Sequence, residues 1–288
     1  MQRARKLLCK AAQQTHKKRT HFGAFFFYAY FDRIGEKERV TIPKIYLSPS
    51  TQEYNPYVTG SGSEEYNMNL LTDELVPYLT ANAISYVRNT PDMTAASSIA
   101  QANSLGGFDF YLALHSNAAG TGNEGNVRGV IVFYYPTSTN GQRAAELFAA
   151  RLREVYPLPN LVTTAATTTL GEVSRTNYPA NLIELGYHDN YQDALWVENN
   201  RDAIAQALAR ALTDYFGLPF IYPGVQRTGV VQTDGTPLRL RDYPGTNGAV
   251  LAQMPSGASV TVYGERNGWY TVGYDGQLGY AAQAYILT

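Results

Sequence analysis

A histidine and a glutamate carry the chemistry that the rest of the chain must position. Phe108-Asp-Phe-Tyr-Leu-Ala-Leu-His115-Ser-Asn117 is largely apolar until it ends in an imidazole, a hydroxyl and an amide. Ala180-Asn-Leu-Ile-Glu184-Leu-Gly-Tyr-His188-Asp-Asn190 is a second run of this kind, with a carboxylate in its middle and an imidazole four residues later. A carboxylate enclosed by Leu, Ile and Leu is costly to bury unless it is paired or bound to a metal. Imidazole and carboxylate facing one cleft are the equipment of metal ligation or acid–base hydrolysis. The chain has 4 histidines, and His16 and His21 fall near the N-terminus. Both histidines in the body of the chain therefore end up at the close of these two runs.

Both runs read as buried strands that open into loops, and in open α/β sheets ligands bind in the crevice beyond the strand ends. From Ile42 to Gly217 strand and helix patterns alternate. Lys44-Ile-Tyr-Leu47 is expected to be a strand leading into a polar loop, Ser48 to Ser63. A helix from Glu64 carries Leu71, Leu75, Tyr78 and Leu79 at helical spacing, with Pro77 expected to kink or end it. Ile84–Val87 is a short strand, residues 94–104 a helix, Gly129–Tyr135 a strand and Gln142–Val155 a helix. The domain closes on an amphipathic helix with Ile204, Leu208, Ala211, Leu212 and Tyr215, stopped by Gly217 and Pro219. Such alternation implies an α/β domain over residues 41–218, a mostly parallel sheet with helices on both faces. Residues 219–226 read as a linker. Residues 227–288 change period to short strands separated by Gly, Pro, Asp and Asn turns, a small all-β barrel.

Residues 1–40 are dense in Lys and Arg and contain the aromatic run Phe25–Phe31. They are read as a poorly ordered basic and aromatic extension rather than a convincing signal peptide, because the apolar run is short and no small-x-small site follows. Val40-Thr-Ile-Pro begins the well-formed domain. With 288 residues, 16% of them charged, and a net charge of −1, the composition is globular and makes no general case for nucleic-acid binding. Cys9 is the only cysteine, so no intrachain disulfide forms. No apolar run reaches the roughly 18–20 residues that span a bilayer.

The motifs resemble a known family. Lys44-Ile-Tyr-Leu47 with its loop, Glu64-Glu-Tyr-Asn-Met-Asn-Leu70, Ala102-Asn103, His115-Ser-Asn117, Gly129–Tyr135 and Pro179-Ala-Asn-Leu-Ile-Glu-Leu-Gly-Tyr187 resemble the zinc-dependent N-acetylmuramoyl-L-alanine amidases of the amidase-3 type. The C-terminal barrel resembles a bacterial SH3 (SH3b) domain through Leu238-Arg-Leu-Arg241, Tyr243-Pro-Gly, Gly264, Gly268-Trp-Tyr270 and Gly279-Tyr280. The resemblance implies a peptidoglycan hydrolase that cuts N-acetylmuramic acid from the L-alanine of the stem peptide, held on the wall by the barrel and acting outside the cell or in the wall.

By position, the resemblance makes Glu65 and His115 zinc ligands and Glu184 the acid–base residue. The family's first zinc histidine is Thr51 here, so the third ligand is open: His188 comes first, then Gln52 and Glu53. Asn117 and Arg175 are candidate substrate-orienting groups, and Trp269 and Tyr270 candidate wall contacts. Two rival functions remain: a catalytically silent wall-binding protein, and another zinc amidohydrolase or carboxypeptidase on the same fold.

Overall fold

A computed structural model describes residues 41–288; the basic and aromatic extension expected over residues 1–40 lies outside them. The N-terminal domain is built on a six-stranded sheet formed by β1 (Lys44–Pro49), β2 (Ser85–Arg88), β3 (Phe110–Asn117), β4 (Val130–Tyr134), β5 (Val162–Ala166) and β6 (Ala180–Tyr187). Their order is β2-β1-β3-β6-β4-β5. All neighbouring pairs are parallel except β4–β6, so β4 and β5 run against the other four strands. The sheet is mixed and mostly parallel.

Alternation along the strands sorts the core into two layers. Ile45, Leu47, Phe110, Leu112, Leu114, Ile183 and Leu185 turn toward α1 (Glu64–Ala81), α3 (Thr139–Arg153) and α6 (Arg201–Phe216). Tyr46, Tyr111, Ala113, Ala180 and Leu182 turn the other way, toward α2 (Ala95–Leu105) and the one-turn α4 (Gly171–Ser174). A further helix, α5 (Tyr191–Asn199), joins β6 to α6. Helix α1 runs through Pro77 instead of ending there. The carbonyl that Pro77 leaves without a donor belongs to Asp73, which is exposed, so water can satisfy it.

The C-terminal sheet comprises β7 (Pro223–Val231), β8 (Leu238–Arg241), β9 (Val250–Met254), β10 (Ser259–Arg266), β11 (Trp269–Tyr274), β12 (Gln277–Ala282) and β13 (Ile286–Leu287). It is antiparallel, in the order β13-β7-β10-β11-β12-β8-β9. Leu240, Met254, Val260, Val262, Tyr270, Val272 and Ala281 fill its core. Among the described residues no helix is long and apolar enough to cross a membrane.

The barrel is docked on the end of α1 by buried hydrogen bonds. The Asn82 amide donates to Ile221 O at 2.8 Å and accepts from Ile221 N at 2.6 Å. The Tyr280 hydroxyl donates to Asn82 O at 2.7 Å, and the Thr271 hydroxyl donates to Ala81 O at 2.6 Å. Gly264 permits the close approach, since a Cβ there would lie 2.9 Å from Tyr222 O and 3.3 Å from Ala81 Cβ. The segment after α6 is thus part of a packed seam and not a free tether. Tyr280→Phe, which leaves a buried carbonyl without its donor, is expected to cost about 1–2 kcal/mol. Urea denaturation should show a lower midpoint for the whole described unit; a midpoint equal to that of the parent would mean the seam contributes nothing.

Candidate active site

The parallel pairing of β3 with β6 brings the two chemical residues together. His115 and Glu184 are register partners in adjacent strands. Both follow the parity of Ala113 and Leu182, so both turn to the layer covered by α2 and α4. Serine 48 of β1 is paired with Ala113, which brings the loop after β1 to the same sheet end.

His115 is clamped between two carboxylates. Its Nδ1 lies 2.8 Å from Glu64 Oε1, and its Nε2 lies 2.8 Å from Glu172 Oε2. Glu64 Oε2 accepts from the Asn55 amide at 2.7 Å, and Glu64 Oε1 also accepts from Ser116 N at 3.3 Å. Glu172 Oε1 accepts from the hydroxyls of Ser48 and of Tyr111, the latter at 2.9 Å. The Gln52 amide nitrogen stands 3.3 Å from His115 Nδ1 and 3.5 Å from Glu64 Oε1. Burial opposes charge on the imidazole, but hydrogen bonds and charge from Glu172 and Glu64 hold its pKa well above 6.5. With a carboxylate at each nitrogen, the ring of the metal-free site is held toward its charged form. Burial likewise opposes charge on Glu64, yet His115, Asn55 and Ser50 hold its carboxyl below the ordinary value.

Glu184 is the member left over. Its Oε2 is shielded and has no hydrogen-bond partner, although the residue itself is partly open to the cleft. Desolvation pushes its pKa up to about 7; the His115 charge pulls it back, and Glu64 and Glu172 push it further up. The cleft encloses about 500 Å³ and is lined by Thr51, Gln52, Tyr54, His115, Glu172, Arg175 and Glu184, with Ile99, Leu170 and Leu182 as its apolar wall.

Several expectations change. Glu64, not Glu65, contacts His115. The buried residues Met68, Leu71 and Leu75 follow Glu64 at helical spacing, so Glu64 lies on the inward face and Glu65 a hundred degrees round it. His188 does not join the site. The register slips between His115–Glu184 and Asn117–Tyr187, and Gly186 takes φ +77°. The parity that would have aligned His188 with Glu184 is lost there, and its Nδ1 instead lies 2.9 Å from Ser116 O, with the ring stacked on Tyr57. Asn117 turns its Oδ1 to its neighbour Ala118 N, at 2.8 Å. Glu53 is exposed, and Arg175 lines the cleft. In the barrel, Tyr270 is a core residue, whereas Trp269 faces a groove of about 440 Å³ with Thr233, Asp234, Arg239 and Tyr285. Sequence reading missed Glu172 altogether, because Gly-Glu-Val-Ser reads as an ordinary surface turn.

The zinc that the motifs imply is tested by this donor set. Among the described residues no three His, Cys, Asp or Glu side chains form a metal-binding group. The charge balance nevertheless suits a dication: without metal, one imidazole held toward its charged form stands among three carboxylates, one with an unsatisfied buried oxygen, and a cation that displaced the Nδ1 proton would supply the missing positive charge. Glu64 and His115 present adjacent donor atoms, and Glu172 holds the far nitrogen of the ring, as carboxylates do behind metal-bound histidines. These residues fit a divalent cation.

Comparison with known proteins agrees with this architecture. No curated protein matches the chain in sequence. Among solved structures, the N-acetylmuramoyl-L-alanine amidase AmiC2 of Nostoc punctiforme superposes with a TM-score of 0.53 at 15% identity, covering 61% of this chain and 97% of its own. An N-acetylmuramoyl-L-alanine amidase from Clostridium difficile 630 gives 0.54 at 17%, covering 62% and 98%. Ami1 from Mycobacterium smegmatis gives 0.52 at 15%, again covering 62% and 98%. At these identities the likeness is one of fold. A bacterial SH3 domain model matches residues 236–286, and an N-acetylmuramoyl-L-alanine amidase model matches residues 45–214. That second match spans more than half of the chain and supports peptidoglycan amidase activity: the chain belongs to the N-acetylmuramoyl-L-alanine amidase family.

Proposed function

We propose that the chain hydrolyses the amide between N-acetylmuramic acid and the L-alanine of the stem peptide as a zinc enzyme, outside the cell or in the wall. The observation that carries this reading is the unpartnered Glu184 Oε2 at the cleft, beside an imidazole fixed by two carboxylates. Glu64 and His115 would hold the zinc, which when bound polarises the scissile carbonyl and acidifies its water. Glu184 takes the proton from the attacking water and returns it to the alanine nitrogen as the carbon–nitrogen bond breaks. Glu172 keeps the His115 ring in one orientation from its far side, itself held by Ser48 and Tyr111. Ile99, Leu170 and Leu182 offer an apolar wall, and Arg175 offers a cation to the carboxylates of a stem peptide. The Trp269 groove would hold the wall, raising the local concentration of enzyme on an insoluble polymer.

The test is appearance of new alanine amino termini from purified peptidoglycan, measured with the protein as prepared, after chelation, and after zinc is restored. Hydrolysis lost on chelation and regained with zinc supports the reading. A folded protein that releases no alanine termini in any condition would overturn it. Thr51, standing where the family has a histidine, favours one second reading, a silent wall-binding protein. That reading predicts sedimentation with insoluble wall and no release.

A further inference from the structure

We propose that Gln52 supplies the third ligand of the metal site, through its side-chain oxygen, in place of the histidine that Thr51 has replaced. The inference rests on the zinc reading above and names the donor which that reading leaves open. Three side-chain atoms converge at the end of the cleft strands, where His115 is the register partner of Glu184: His115 Nδ1, Glu64 Oε1 and the Gln52 amide, at mutual separations of 2.8, 3.3 and 3.5 Å. Donors about 2.0–2.1 Å from a tetrahedral zinc stand about 3.3–3.4 Å from one another. Two of the three separations already have that size, and the shortest is a hydrogen bond between the donors themselves.

With no cation between them, the amide presents its nitrogen to the carboxylate. Half a turn about its last torsion exchanges nitrogen for oxygen at nearly the same place. The turned amide nitrogen would then donate to the Tyr54 hydroxyl, whose oxygen now lies 3.1 Å from Gln52 Oε1. Asn55 would give up its 3.1 Å bond to that oxygen and keep its 2.7 Å bond to Glu64 Oε2. The loop is set for this: Gln52 N donates to Ser50 Oγ at 3.2 Å, and Asn55 N to Gln52 O at 3.4 Å. The neighbouring candidates are less well placed. Glu53 is exposed and has no bond to the cluster, His188 is held against Ser116, and Thr51 lines the cleft with no hydrogen bond to Glu64 or His115.

The charge of the ligand set is unchanged when a neutral imidazole gives way to a neutral amide, but its softness falls. An amide oxygen is a poorer zinc donor than imidazole, so this site should hold zinc less tightly than one with a second histidine. Zinc affinity is measured on the full chain by competition with a chromophoric chelator, and the site is also read from the absorption bands of bound Co²⁺. Gln52→Ala is expected to weaken zinc at least tenfold and to alter the cobalt bands. Gln52→His is expected to tighten zinc at least tenfold, while Thr51→Ala leaves affinity within about twofold. Circular dichroism of each variant guards against loss of fold, and Gln52→Glu, which keeps an oxygen donor, should retain zinc. A parent that binds one zinc and a Gln52→Ala variant that binds it equally well would overturn the Gln52 assignment alone. A parent that takes up no zinc would overturn the zinc reading itself.

Discussion

Glu184→Gln is expected to lower the release of stem peptide by about 10²–10⁴-fold, the range a positioned general base contributes, while leaving the fold and zinc uptake intact. The amide keeps the shape of the carboxylate and cannot accept the water's proton. A second effect follows from the same side chain in metal-free protein. The folded-state pKa of Glu184 is raised to about 7 from 4.5, so its stabilising contribution is complete below about pH 4.5 and is lost as pH rises through 7. Removing the ionisable group should therefore make the variant more stable than the parent at pH 8.5. The shift alone corresponds to about 3 kcal/mol; because the residue is partly open to the cleft, a gain on the order of 2 kcal/mol is the better expectation. Urea denaturation in chelator at pH 5 and pH 8.5 reads it directly. Undiminished hydrolysis would remove Glu184 from the mechanism, and equal stability at both pH values would remove the claim that its ionisation is costly.

Residues with strong periodic context were legible in the sequence, and those without it were not. His115 and Glu184 announce themselves because a polar group interrupts a buried strand, and burial makes such groups costly. Both stand on the cleft face as register partners. Strand β5 escaped notice because Val162-Thr-Thr-Ala-Ala is an edge strand, mostly exposed, with no alternation of apolar and polar residues. The choice between Glu64 and Glu65 was legible from the phase of Met68, Leu71 and Leu75, yet aligning the motif by position selects the wrong neighbour. His188 depended on a register slip and a positive φ at Gly186, neither of which a sequence period can reveal. Glu172 had no local signal at all; only the tertiary approach of a four-residue helix to His115, Ser48 and Tyr111 gives it a role.

The seam between the two sheets changes what removing the barrel would mean. Asn82, Ile221 and Tyr280 are buried together, and α1, whose first turn carries Glu64, ends at that seam. Loss of the barrel would expose the end of the helix that positions Glu64. A truncated protein that is less active on soluble muropeptides as well as on intact wall would show this coupling, since tethering alone affects only the insoluble substrate.

The largest stability effect is expected from His115→Ala. The ring is held toward its charged form between Glu64 and Glu172, each of its nitrogens 2.8 Å from a carboxylate. Deleting it leaves Glu64, 1% exposed, and Glu172, 4% exposed, facing each other across a vacated space. Breaking a buried pair by removing one partner costs about 3–5 kcal/mol, because the remaining charge is uncompensated. The pH dependence has a definite sign. Glu64 has a lowered folded pKa in the parent, so its contribution is present above about 4.5 and lost as pH falls through the lowered value. His115 has a raised one, so its contribution is complete below about 6.5 and lost only as pH climbs through that raised value. The parent's advantage over the variant should therefore be greatest between about pH 4.5 and 6.5 and should shrink in acid, where both proteins carry protonated carboxylates. Urea titrations of metal-free parent and His115→Ala across pH 3.5 to 8 check both statements. A loss below about 1 kcal/mol at pH 6 would show that His115 is not what makes the burial of Glu64 and Glu172 tolerable. His115→Gln, which restores hydrogen-bond donors without the charge, should recover only part of the loss.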